Sequence, residues 1–339
     1  MAKITKDKNK KYTKYTINNK NNKGYWNHLS ESYLDFKKKY KDEEKTWVFR
    51  GQPRTLQLKT TLERLIDNVP VFKKAELEGK IKQEEKAKQR TWRKYPPNSS
   101  YIEWIECGLL RRFQKQYLNY EKPILAPGGN FIDWFALMQH FGAPTRLLDW
   151  TYSFYVAAFN AISDFKVEED EYEFSEVWAI NLGWVEDRAY KILKELGDSS
   201  LPEKLHKKDR NLREFKTFKR LNRKKLVMPV APYGFFERFS IQQGVFLMPG
   251  DIRESFMSNL FNLENKKDKE LLEDNLIKFN ISNKPEAKSD ILKNLIRMNM
   301  VKATLFPGLE GFAESLESYV FSMPIQYFTS EHFYRLYSK

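Results

Sequence analysis

The sequence predicts a single α+β domain with a small split β-sheet core, surrounding helices and charged helical insertions. Three observations point to it. Short β-branched and aromatic runs, several halted by glycine or proline, are scattered along the 339 residues without a regular strand-helix alternation. Longer stretches between them space their apolar residues at helical intervals. Lysine-rich segments of mixed charge interrupt both.

Taken in order, TWVFRGQ at Thr46 to Gln52 is a buried strand that stops at a turn near Gly51. Thr60 to Ile66 starts a helix, with Thr60 at the N-cap and Glu63 in the first turn. Tyr101 to Leu118 places Ile102, Ile105, Leu109, Phe113 and Tyr117 on one helical face. Phe131 to His140 is an apolar helix that Gly142 and Pro144 end, and Ser153 to Ala161 resumes helical character with small alanines. Strands follow at Glu176 to Asn181 and Gly244 to Met248, with Leu226 to Pro232 a further extended candidate. An exposed acidic turn at Glu168 to Glu173 precedes the first of these. Charged helices are expected across Glu254 to Asn299, and Lys302 to Leu316 turns at Pro307 and Gly308 before a final helix.

Residues 1–23 are read as a basic, flexible N-terminal segment, and 24–339 as the domain, with charged insertions near 68–100, 186–225 and 254–299. A chain that is 41% hydrophobic and 15% aromatic can bury a substantial core. One cysteine, Cys107, excludes an intrachain disulfide. No basic segment followed by an apolar run opens the chain, and no stretch approaches the roughly 20 apolar residues of a membrane span, so a cytoplasmic protein without membrane contact is expected. The net charge of +14 is concentrated in Lys3 to Lys23, Lys73 to Lys94 and Lys204 to Lys225. Such clusters serve either as a solubilising exterior or as a surface for nucleic acid or another acidic target.

The densest polar cluster is QHFGAPTRLLDWT, Gln139 to Thr151, which carries one of only 4 histidines and lies between two apolar helices. A loop clamped on both sides can hold side chains for binding or chemistry. Each residue also has a structural reading. Arg50 with Asp149 forms a buried ion pair as readily as a site. His140 caps the turn, and serves as a base only beside a carboxylate. Arg146 binds phosphate or its own loop, Thr145 caps, and Trp150 and Tyr152 either stack a base or join the core. Zinc-ligand spacing, phosphate loops and a GxSxG elbow are all absent from the sequence, so no metal is expected.

VFRGQ at Val48 to Gln52, QHFGAPTRLLDWT at Gln139 to Thr151, SIQQGVF at Ser240 to Phe246 and TLFPGLEG at Thr304 to Gly311 together resemble the FRG domain family, over about Trp47 to Leu316. A second resemblance is to ADP-ribosyltransferases of the arginine, serine, glutamate type. Arg50-Gly51 is similar to their first motif, and Thr151-Tyr152-Ser153 with Val156, Ala157 and Phe159 to their second. Gln242-Gln243-Gly244-Val245-Phe246 is similar to the third, with glutamine where the transferases have glutamate.

That second resemblance implies NAD as substrate, as in bacterial toxins and phage-defence effectors that transfer ADP-ribose or hydrolyse the dinucleotide. It implies a catalytic set of Arg50, His140, Asp149, Gln242 and Gln243, and a binding set of Arg50, Gly51, Gln52, Thr145, Arg146, Thr151 and Ser153. Arginine forks onto phosphate or ribose oxygens, and a glycine lets a ligand approach the backbone. A carboxylate steadies the ribosyl cation where a glutamine cannot, so Asp149, and next Glu237, is expected to supply the charge. A cognate neutralising protein would accompany a toxin. The competing readings are a non-catalytic nucleic-acid-binding or interaction module and, more distantly, a metal-independent ribonuclease using His140, Arg146 and Asp149.

Overall fold

The structure is a computed structural model that describes residues 3–7, 12–17, 24–41, 46–54, 57–87, 99–120, 131–164, 173–197, 222–232, 237–265 and 271–322. It is α+β. Among the described residues eight strands build one open sheet: β1 (Lys3–Asp7), β2 (Tyr12–Ile17), β3 (Trp47–Gln52), β4 (Leu148–Thr151), β5 (Phe174–Asn181), β6 (Val227–Val230), β7 (Gly244–Pro249) and β8 (Leu276–Ser282). Their spatial order is β1-β2-β8-β5-β3-β4-β7-β6, and only β2 and β8 run parallel.

Helices cover both faces because alternate residues of the central strands are apolar on both sides. On one face, Phe49, Val177, Ala179, Phe279 and Ile281 pack with α1 (Tyr25–Lys39), α6 (Phe154–Ile162) and α10 (Pro285–Arg297). The other face packs Val48, Trp178, Ile180 and Leu247 with α4 (Tyr101–Tyr120), α5 (Phe131–His140), α7 (Leu182–Glu195) and α9 (Phe256–Phe261). The remaining helices are α2 (Thr61–Asp67), α3 (Val71–Ala87), α8 (Glu237–Ile241), α11 (Lys302–Leu305) and α12 (Leu309–Ser322). None of the described helices is long and apolar enough to cross a membrane.

Local sequence explains the elements beside the site. Thr60 and Glu63 form a reciprocal capping box that starts α2, as their spacing predicts. Ser153 caps α6 by accepting a hydrogen bond from Val156 N at 3.3 Å. Gly51 is required by packing: a Cβ there would overlap the carbonyl oxygen of Ala157 and stand 2.7 Å from Ala161 N. The alanines of α6 and the missing side chain on β3 thus let helix and strand touch at backbone distance.

Several expectations need correction. Tyr12–Ile17, read as part of a flexible tail, is a sheet strand whose Thr13, Tyr15 and Ile17 are buried. The span Glu254 to Asn299 is not simply charged helix, since it contains β8, buried along its whole length. Lys278 can lie inside because it donates to Glu176 at 2.6 Å, and Trp178 Nε1 donates to the same carboxylate at 3.0 Å. Burial pushes Glu176 above the usual carboxylate range, against the opposing pull of Lys278. Residues 186–195 belong to α7, whose Arg188, Ala189, Tyr190 and Leu193 are buried, so they are scaffold and no insertion. The quoted 139–151 stretch is not all loop, because its last four residues form β4. Residues 1–2, 8–11, 18–23, 88–98, 165–172, 198–221 and 266–270, which hold parts of the expected tail, insertions and acidic turn, lie outside the described residues.

Candidate functional site

The sheet has one weak seam. β3 pairs with β5 through six residues and β4 with β7 through four, yet β3 and β4 share only the pair Phe49 and Thr151. A cavity of about 190 Å³ is lined by the residues past that pair, Arg50 and Gly51 on one strand and Asp149 and Trp150 on the other. Gln139 and His140 line it from the end of α5, Val156 and Asn160 from α6, Arg238 and Phe239 from α8, with Gln242, Phe246 and Phe306 completing the wall.

Arg50 holds the seam. Its Nη1 donates to the main-chain oxygen of Asp149 at 2.7 Å and lies 3.7 Å from the Asp149 carboxylate. Its Nε is buried without a hydrogen-bond partner among the described residues. Burial pulls this guanidinium below its ordinary pKa; Asp149 opposes that and nearby Arg64 adds to it. Arginine stays charged regardless. The Asp149 side chain is 59% exposed, so the pair is open on the carboxylate side and does not form the sealed structural bridge that the sequence allows. Gln139 orients that carboxylate, donating from Nε2 at 2.8 Å, while its own Oε1 accepts from Thr145.

On the opposite wall the two glutamines separate. Both lie in the turn before β7 and not on the strand. Gln242 lines the cavity, and its Nε2 donates to Leu305 O at 2.9 Å. Gln243 is exposed at φ 49°, is not among the cavity-lining residues, and its main-chain oxygen accepts from Tyr152 N. Thr151 ties the motifs together: Oγ1 donates to Gln242 O at 2.6 Å and accepts from Ser153 N at 3.0 Å. His140 has burial and then Arg238 pulling its pKa down, so the charge acting on it is a cation where a carboxylate is expected of a catalytic base. The imidazole is therefore neutral at pH 7.

The binding set divides likewise. Gly51 lines the cavity, and its missing side chain also serves the contact with α6. Gln52 faces an adjoining cleft. Arg146 is 1% exposed, paired bidentately with Glu106 of α4 and stacked near Phe135; it is outside the cavity and locks the loop to the helix layer. Thr145 is fully buried, exchanging hydrogen bonds with Thr61 of α2 and donating to Gln139. Ser153 spends its oxygen on the α6 cap. Glu237 is exposed and does not line the cavity. Trp150 lines it from the core at 2% exposure, whereas Tyr152 is 38% exposed and outside it.

Sequence reasoning missed three polar walls. Arg238 lies 4.0 Å from the Phe306 ring centroid, and no described residue hydrogen-bonds its guanidinium. Burial lowers its pKa, opposed by Asp149, Glu314 and Glu310. Asn160 presents a carboxamide that no described residue hydrogen-bonds. Gln139, which orients the Asp149 carboxylate, is the third. Only the fold brings these beside Arg50; the signal available in sequence was their position within or next to the motifs.

The cavity thus offers cations for phosphate or carbonyl oxygens, one solvent-open carboxylate for a developing positive charge, a neutral imidazole and the Asn160 carboxamide. Among the described residues no group of three or more His, Cys, Asp or Glu side chains is placed to hold a metal ion. Residues 45–170 match the family model of the FRG domain, so the chain carries an FRG domain there. That span contains Arg50, His140, Asp149 and Thr151, while the SIQQGVF and TLFPGLEG motifs lie beyond it. No curated protein and no solved structure matches the chain.

Proposed function

We propose that this FRG-domain chain acts on NAD in the manner of an ADP-ribosyltransferase, placing nicotinamide and its ribose in the cavity at the β3–β4 seam. The observation that carries the reading is the convergence of Arg50, Asp149 and Gln242, from three distant segments, on one cavity. Its volume of about 190 Å³ suits a part of the dinucleotide, since pockets for drug-sized ligands run from roughly 300 Å³ upward.

In this reading the bond between ribose C1′ and the nicotinamide nitrogen breaks heterolytically. The bonding pair leaves with nicotinamide, and positive charge develops on the ribose. Asp149, held by Gln139, steadies that charge, the task for which Gln242 has no formal charge. Gln242 holds a ribose hydroxyl through its amide oxygen. Arg50 fixes Asp149 and faces the ligand's oxygens. Water or a nucleophile on a macromolecule captures the ribosyl centre, and neutral His140 accepts the proton released. Work as a bacterial toxin or phage-defence effector, with a cognate neutralising protein, belongs to the same proposal.

A second reading, a nucleic-acid-binding module without catalysis, is favoured by the net charge of +14. One assay separates the two: purified protein with NAD labelled in the nicotinamide or the adenylate, with and without cell extract, beside Arg50→Ala. Nicotinamide release lost in the variant supports the enzyme. Salt-sensitive binding to nucleic acid by both proteins, with NAD intact, supports the module.

A further inference from the structure

Arg50 and Gly51 wall two spaces. On their other side lies a larger cleft, about 730 Å³, that also contains Gln52, Arg54, Lys59 and Arg64. Four cationic side chains, Arg50, Arg54, Lys59 and Arg64, face it against two carboxylates, Asp67 and Asp164. Lys59 holds Asp67 at 2.7 Å. Arg64 is exposed; Asn68 Nδ2 donates to its main-chain oxygen at 2.9 Å, and no described residue forms an ion pair or hydrogen bond with its guanidinium. Its backbone is held, because it lies on α2, whose first turn is locked by the capping box and whose Leu62 N donates to Thr145 O at 2.9 Å. Arg50, whose Nε has no hydrogen-bond partner among the described residues, and Arg64 both line this cleft, and two guanidiniums on one cleft form a receptor for a compact anion carrying several oxygens.

The first cavity is too small for a dinucleotide, and the space that continues past Arg50 is both larger and positive. We propose that this second cleft binds the pyrophosphate of NAD, with Arg64 and Arg50 gripping it, so that the ligand straddles Arg50 with nicotinamide riboside in the seam cavity. The proposal rests on the NAD reading and adds to it the site of the phosphates.

The test is calorimetric titration of the full chain and Arg64→Ala with ADP-ribose, which has the pyrophosphate but no nicotinamide, and separately with nicotinamide, with NAD and with a single-stranded oligonucleotide. Arg64 is exposed, so the variant should melt like the parent. The expected result is an ADP-ribose affinity lowered roughly tenfold or more in the variant, as for loss of a charge-assisted hydrogen bond, with nicotinamide affinity unchanged. If the parent binds ADP-ribose and the variant binds it equally well, the second cleft is not the phosphate site and the NAD reading stands without it. A parent that binds neither NAD nor ADP-ribose ends both. Arg64→Ala weakening a single-stranded oligonucleotide but not ADP-ribose assigns the cleft to nucleic acid and overturns the proposal.

Discussion

The guanidinium of Arg50 donates to the main-chain oxygen of Asp149 at 2.7 Å, bridging β3 and β4 where the strands share only the pair Phe49 and Thr151. One side chain thus closes the sheet and faces the cavity. Removing it leaves the carbonyl to find another donor and the seam without its bridge. Arg50→Ala should cost about 1–3 kcal/mol of stability and at least ~100-fold in nicotinamide release. Arg50→Lys should regain part of the stability but little rate, because an ammonium cannot fork onto two oxygens. Melting and turnover measured together check this; full activity in Arg50→Lys would count against it.

Gly51→Ala tests the contact between β3 and α6. The added methyl meets the backbone of Ala157 and Ala161, which cannot rotate aside. A loss of about 3 kcal/mol is expected, at the upper end of overpacking costs. An unchanged denaturation midpoint would show that the helix can slide away from the strand.

Arg146 and Glu106 separate scaffold from site. Arg146→Ala strands a buried carboxylate and should cost about 3–5 kcal/mol. NAD affinity per folded molecule should stay as it was, since Arg146 lies outside the cavity. Replacing both partners with apolar residues of similar volume should recover much of the loss. A folded Arg146→Ala protein that no longer binds NAD would return this residue to the ligand.

The pH profile reports on His140. Burial and Arg238 lower its folded pKa below the ordinary 6.5. Above 6.5 the imidazole is neutral in both folded and unfolded chains, and as pH falls below 6.5 the unfolded chain takes up a proton that the folded one resists, so stability declines toward acid. If His140 accepts the acceptor's proton, turnover falls on an acidic limb centred below pH 6.5. Arg238→Gln should shift that limb to higher pH and His140→Gln should abolish it. A limb that survives in His140→Gln belongs to another group.

Much of the fold could be read from local signals. The capping box at Thr60 and Glu63, the Ser153 cap with its alanine-rich helix, and the apolar runs of β3, β5 and β7 are written in neighbouring residues. What escaped depends on partners far away in the chain. β8 looks amphipathic and charged because its Lys278 is neutralised by Glu176, 102 residues earlier. β2 looks like part of a polar tail until it pairs with β8. Arg146 has the same appearance in sequence as Arg50, and only Glu106 on α4 distinguishes a locked residue from one at a cavity. Arg238 is a helical arginine until Phe306 comes under it.

In the proposed reaction Asp149 is the charge partner of the ribose. The direct measurement is single-turnover nicotinamide release by Asp149→Asn, with melting recorded on the same sample. The carboxylate is 59% exposed, so stability should change by no more than about 0.5 kcal/mol, while release should slow by at least ~100-fold. An asparagine variant that releases nicotinamide as fast as the parent, or a parent that releases none, would contradict the account.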